Sequence, residues 1–285
     1  MPRPGVPPYP DRMTASPLTR SLGYFTDVAL RRHEGATVTR HRQHTSVQSP
    51  FNPSFWWGNY LLLDEAPTAG SLNAWETEFR RIFPEAAHTT FGVNLPAAEL
   101  TDLEHLRARG YGAYQDTVLT AARTHAPRTL NRDAQLRPPR TDADWAAVLE
   151  LRMAVNAADP HGHAPDGYRT FAEGKLGSYR RLQESGHGTY LAAFDDQGRA
   201  LSGLGIFDCG DGVARYQSVE THPEHRARGL AGTLVHTAAE WAREHHGTRQ
   251  LVIVADPGYH AQALYESVGF APTETQTGLE KRPAE

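Results

Sequence analysis

The chain of 285 residues has one cysteine, Cys209, so it can hold no internal disulfide and no paired-cysteine metal or redox site. A single thiol fits a reducing compartment, and the cytoplasm is the expected location. No apolar run approaches the ~18 residues that cross a bilayer, so no membrane contact is expected. Residues 1–20 lack the apolar segment of a signal peptide. Six prolines there (Pro2, Pro4, Pro7, Pro8, Pro10 and Pro17) mark a disordered leader, with Met1 or Met13 as the start. An excess of positive charge is missing too: 29 Lys and Arg against 33 Asp and Glu leave a formal charge of -4, which argues against a nucleic-acid partner. The 15 histidines include no His-Glu-x-x-His. His161-Gly162-His163 and His222-x-x-His225 come closest and read as solvated loop histidines, so no metal is expected. Neither a Gly-Lys-Ser/Thr phosphate loop nor a Gly-x-Gly-x-x-Gly dinucleotide fingerprint is present.

What is present concentrates between Val219 and Thr233. A β-prone run stops at Pro223, and the turn Glu224-His225-Arg226-Ala227-Arg228-Gly229 opens into Leu230, Leu234, Val235, Ala238, Ala239 and Trp241 at helical spacing. The first N–H groups of a helix have no intrahelical partner and lie at the positive end of its dipole. Gly229, with the small residues Ala231 and Gly232, lets an anion approach that backbone closely. The segment is a phosphate cradle.

The length suggests about two domains of roughly 150 residues each. In the C-terminal half, Thr141 to Asp144 cap a helix carrying Trp145, Val148, Leu149, Leu151 and Val155. A loop over 159–167 separates it from a second helix over 168–184. Strands are expected at 189–194, 200–207 and 213–221, the first two joined by Asp195-Asp196-Gln197-Gly198. Beyond the cradle helix come an apolar strand at 251–254, a helix over 261–268 ended by Gly269, and a strand at 273–279. A strand near 130–136 begins this β-α-α-β-β-β-α-β-α-β series.

A second motif, Gly258-Tyr259-His260-Ala261-Gln262-Ala263-Leu264-Tyr265-Glu266-Ser267-Val268-Gly269-Phe270, stands on the last helix. Together with Arg226-x-x-Gly229-x-Ala231, it resembles the signatures of the GCN5-related N-acetyltransferase (GNAT) superfamily. Ala261, Leu264, Tyr265, Gly269 and Phe270 match the family pattern Asn-x-x-Ala-x-x-Leu-Tyr-x-x-x-Gly-Phe. Gly258 departs from it, standing where many members have an asparagine that bonds the pantetheine arm. The resemblance covers about residues 128–285 and implies a catalytic GNAT domain over 125–285.

The N-terminal half repeats part of that order. A strand at 55–63, a helix over 72–83 led by Ser71, a strand at 88–93, a helix over 97–109 and a strand at 113–120 are expected. Leu106-x-x-x-Gly110-Tyr111 lies where the other half has Tyr265-x-x-x-Gly269-Phe270. The expected fold class is therefore α/β with a mixed sheet, as two GNAT-like acyl-CoA N-acyltransferase domains in tandem. The first, 21–124, is degenerate: in place of the cradle it has Asp64-Glu65-Ala66-Pro67-Thr68-Ala69-Gly70-Ser71, which is acidic and repels a pyrophosphate. Such internal pairing favours a monomer over a dimer.

The resemblance implies acetyl transfer from acetyl-CoA, a cosubstrate, to a primary amine while both are bound. Val219 and Thr221 would offer main-chain contacts to pantetheine and the acetyl carbonyl, as an oxyanion hole does. Arg226, Ala227, Arg228, Gly229, Leu230, Ala231, Gly232 and Thr233 would hold the pyrophosphate. Tyr265 would protonate the departing thiolate. No base is assigned: positions 215, 217 and 253, where the family often has one, carry Arg215, Gln217 and Ile253. Gln217 could orient a water. Strand alternation sets Glu220 on the face opposite 217 and 219, and His161 and His163 lie in a loop within reach of the acceptor. That loop, with residues 208–211, is the expected acceptor side, suited to a small-molecule amine ahead of a protein amine. The alternatives are a non-catalytic CoA sensor or scaffold, and a transferase of a longer acyl group.

Overall fold

Helix α1 (Leu22–His33) opens the computed structural model, which describes residues 19–53, 55–160, 162–258 and 261–283. The expected leader lies outside these residues except for Thr19 and Arg20, and so do His161, Tyr259 and His260. Ser21 caps α1 by accepting the Tyr24 N–H. Strands β1 (Thr37–Arg40), β2 (His44–Gln48) and β3 (Asn59–Leu63) follow, then α2 (Leu72–Ile82), β4 (Thr89–Val93), α3 (Leu103–Ala108) and β5 (Gly112–Ala121). The C-terminal half contains β6 (Gln135–Arg137), α4 (Asp142–Ala157), α5 (Pro165–Glu184), β7 (Gly188–Phe194), β8 (Ala200–Asp208), β9 (Val213–Thr221), α6 (Leu230–His246), β10 (Gln250–Ala255), α7 (Ala261–Glu266) and β11 (Ala271–Lys281).

Local chemistry accounts for several boundaries. Thr141 and Asp144 form a reciprocal capping box at the start of α4. The expected strand at 55–63 begins only at Asn59, because its side chain takes up nearby backbone groups: Asn59 accepts the Ser49 N–H and donates to the Phe55 and Asn52 carbonyls. Residues 56–58 turn instead. The helix expected over 97–109 is reduced to α3, and the strand near 130–136 to β6. Helix α1 and strands β1 and β2 carry no clear period in the sequence. β2 is buried on both faces, and three of its four buried residues, His44, Thr45 and Ser46, are polar, the fourth being Val47.

All eleven strands form one mixed sheet in the order β1-β2-β3-β4-β11-β5-β10-β9-β8-β7-β6. Only β3 with β4 and β9 with β10 run parallel. The last strand of each half crosses over: β5 pairs with β10, and β11 lies between β5 and β4. The sheet thus runs through the sequence division at 124/125. One face is covered by α6 and α7 over Leu191, Leu204, Ile206, Tyr216, Leu251 and Ile253. α4 and α5 pack on the other over Tyr190, Phe194 and Phe207. The internal repeat extends to its caps: Tyr111 and Arg109 N–H groups bond the Leu106 carbonyl, as those of Phe270 and Val268 bond the Tyr265 carbonyl. Gly110 (φ +83) and Gly269 (φ +109) take the left-handed conformation this ending requires.

Candidate active site

Strands β9 and β10 are paired only from Val213–Arg215 to Gln250–Val252 and then part. A bulge accompanies the divergence. Gly203 of β8 faces Glu220, but Gly205 faces Gln217, so one extra residue is inserted in β9. Ser218 carries it at φ +49, and the Tyr179 hydroxyl of α5 lies 3.0 Å from Ser218 Oγ and donates to Gln217 Oε1 at 3.2 Å. Parting of two parallel strands opens a wedge with unpaired backbone on its edge, which a chain-like ligand can enter as a further strand.

At the end of β9, Ala227 (φ +59) and Gly229 (φ +75) take the left-handed conformation and fold the turn before α6. The turn is braced from behind. Asn131 donates through its backbone to Thr233 Oγ1 (2.9 Å) and through its amide to the Arg228 carbonyl (3.0 Å), and Thr233 Oγ1 donates to the Gly229 carbonyl (2.7 Å). A Cβ at Gly229 would collide with the Thr129 carbonyl oxygen.

A cavity of about 250 Å³ joins wedge and turn, lined by Val155, Val219, Glu220, Thr221, His225, Arg226, Ala227, Gly229, Leu230, Ala231, Gly232, Ala261, Leu264 and Tyr265. Of the residues expected at the site, Tyr265, Val219, Thr221, Arg226, Ala227, Gly229, Leu230, Ala231 and Gly232 line this one space. Arg228 and Thr233 do not. The Thr233 hydroxyl is committed to the brace, and Arg228 contributes its carbonyl to it.

Glu220 is the residue that sequence reasoning set aside. Alternation places it opposite Gln217, but the bulge at Ser218 inserts a residue and brings both side chains to the α4–α5 face. There Glu220 Oε1 lies 3.3 Å from Arg152 Nη2 of α4, with the glutamate side chain 12% and the arginine 6% exposed. Burial raises the Glu220 pKa, and the Arg152 guanidinium opposes that rise without cancelling it. Glu220 Oε2 has no hydrogen-bond partner. A buried carboxylate with a raised pKa at the cavity wall has the properties of a general base.

The other candidates fall elsewhere. Arg215 donates to Thr26 Oγ1 (2.6 Å) and the Gly23 carbonyl, binding β9 to α1, and Ile253 is core. His163 lines a separate cavity of about 520 Å³ with Phe55, Trp56, Trp57, Tyr168 and Phe171. Residues 208–211 do not border the wedge. Asp208 pairs with Ala214 at the opposite end of β9 from Thr221, about 20 Å along the strand at ~3.3 Å per residue. Asp27, Trp57, Tyr114, Asp116, Arg215, Val254 and Gln276 line a further cavity of about 380 Å³ beside the open part of β10. Desolvation, aided by Asp256, raises the Asp116 pKa to about 6.

In the N-terminal half no residue of 64–71 has positive φ, and Arg40 grips Asp64 at 2.8 and 2.6 Å. The left-handed residues of the 227–229 turn have no counterpart there.

Residues 151–270 match the family model described as the acetyltransferase (GNAT) family. Among curated proteins, an uncharacterized N-acetyltransferase of Bacillus subtilis, YobR, is 26% identical over 84 residues, which is 30% of this chain and 33% of that protein. The match therefore spans one third of that relative. Among solved structures, a functionally unknown conserved protein from Staphylococcus epidermidis aligns with TM-score 0.67 at 16% identity, over 86% of this chain and 93% of that one. A GCN5-related N-acetyltransferase from Kribbella flavida aligns with TM-score 0.62 at 15% identity, over 93% and 97%. A tandem GNAT protein from the clavulanic acid biosynthesis pathway gives 0.50 at 15% identity, over 79% and 74%. These likenesses concern the fold, and the fold is that of GNAT proteins, with a tandem one among the neighbours. Among the described residues, no helix is long and apolar enough to cross a membrane.

Proposed function

We propose that the chain is an N-acetyltransferase that holds acetyl-CoA within residues 125–285 and moves its acetyl group to a cationic small-molecule amine. The observation that carries this reading is that the phosphate cradle, the bulged β9, Glu220 and Tyr265 line one cavity. Pyrophosphate binds the 226–232 turn, and pantetheine lies along β9. The Glu220 carboxylate first takes a proton from the ammonium group, and the freed nitrogen lone pair then attacks the thioester carbonyl. Main-chain N–H near Val219 supports the oxyanion. The C–S bond then breaks, the Tyr265 hydroxyl donates a proton to the thiolate, and the surplus proton on the new amide nitrogen restores the phenol. Two carboxylates, Asp27 and Asp116, against one cation, Arg215, with Trp57 and Tyr114 as aromatic walls, support a cationic acceptor in that cavity.

Free-thiol release from acetyl-CoA across a panel of amines tests this reading. Release should be fastest with cationic amines, whereas release at background with every amine, CoA still binding, would leave a CoA sensor. Tyr265→Phe should lower turnover ~10-fold or more with little change in CoA affinity. Unchanged turnover would remove Tyr265 as the acid. Calorimetry should count one CoA per chain, because 64–71 forms no cradle. Two equivalents would contradict that.

A further inference from the structure

The N-terminal half has a cleft where the C-terminal half has its cradle. A cavity of about 620 Å³ is lined by residues of 64–71, the β1–β2 hairpin and α2. His41 and His44 from the hairpin and Glu78 from α2 converge there, with one ligand atom of each within 4.8 Å of the others.

The chemistry is that of a metal site with an open position, two imidazoles and a carboxylate. His44 Nε2 stands 3.5 Å from Glu78 Oε1. With bonds of ~2.1 Å, tetrahedral donors around zinc lie about 3.4 Å apart. The two imidazole rings are stacked, centroids 4.3 Å apart and 8° from parallel, so their in-plane lone pairs run side by side and His41 must turn about its side-chain bonds to share an ion with His44. Ser46 Oγ lies 3.1 Å from His41 Nε2, which leaves Nδ1 as that ring's nitrogen for an ion. A second observation is independent of the convergence: His44 is 5% exposed, and its Nε2 is buried with no hydrogen-bond partner. A buried imidazole nitrogen left so incurs a desolvation cost that a metal bond would offset. Arg81 also holds Glu78, at 2.7 and 2.8 Å, but it is 62% exposed, and each carboxylate oxygen keeps a second lone pair.

We propose that His41, His44 and Glu78 bind a zinc-type divalent transition ion, with the fourth position open to this cavity. The site uses no residue of the transferase reading, so either can fail alone. Among the described residues, His222, Glu224 and His225 also lie within 4.8 Å of one another and supply the control. Titration of the full chain with Zn²⁺ in a calorimeter should give one equivalent, and Co²⁺ should show the intense visible bands of four-coordinate geometry. Affinity should fall at least ~10-fold in His41→Ala and in Glu78→Gln, neither of which opens a large core void, and remain unchanged in His222→Ala. Comparable melting of the metal-free variants checks that they fold. No Zn²⁺ binding by the wild-type chain, binding unaffected by both substitutions, or loss in His222→Ala instead would overturn the assignment.

Discussion

Glu220→Gln is expected to lower turnover with acetyl-CoA by ~100-fold or more, the scale of a lost general base. Glutamine keeps the shape and an oxygen for Arg152 but takes no proton. The pH dependence separates this from a packing defect. A base works only when deprotonated, and burial raises the Glu220 pKa, so the rise of rate with pH should lie above the ordinary carboxylate range. In Glu220→Gln that limb should vanish. In Arg152→Met it should move higher still, because the cation favouring the charged form is gone, and the protein should lose about 3–5 kcal/mol of stability from the unpaired buried carboxylate. A limb unchanged in Glu220→Gln would remove this residue as the base.

Gly229→Ala should weaken CoA binding by ~30-fold or more, the equivalent of about 2 kcal/mol of backbone strain. At φ +75 any side chain is disfavoured, and its Cβ would meet the Thr129 carbonyl oxygen of the brace rather than a movable side chain. The turn must shift, and its N–H groups move with it. Gly70→Ala in the counterpart loop is the control: Gly70 has no positive φ, and its Cβ would meet only Thr68 Oγ1 at 3.9 Å. That variant should bind CoA as the parent does. Equal affinity of Gly229→Ala and the parent would show that the turn does not cradle the ligand.

The left-handed turn before α6 and the Tyr265 helix were legible because their information is local: a glycine at a helix start, a Leu-Tyr pair one turn before Gly269. Glu220 was not. Its direction depends on an inserted residue fixed by pairing with Gly203 and Gly205 and by Tyr179, all distant in sequence, while Gln217-Ser218-Val219-Glu220 reads as plain alternation. The brace from Thr129 to Asn131 was not legible either, because its partners, Thr233 and the Arg228 carbonyl, lie about a hundred residues on. The crossing of β5 and β11 was invisible for a different reason: both close a β-α-β-α-β run, and either hydrophobic pattern suits either place. His41-x-x-His44 escaped notice because its third member, Glu78, comes from α2 and only the fold brings it there.

The most direct measurement is the coupling of acetylated amine, counted by mass spectrometry, to free thiol released from acetyl-CoA by the full chain. One acetylated amine per thiol is predicted, with both falling together in Glu220→Gln and in Gly229→Ala. CoA bound at the 226–232 turn with neither product formed for any cationic amine would contradict it.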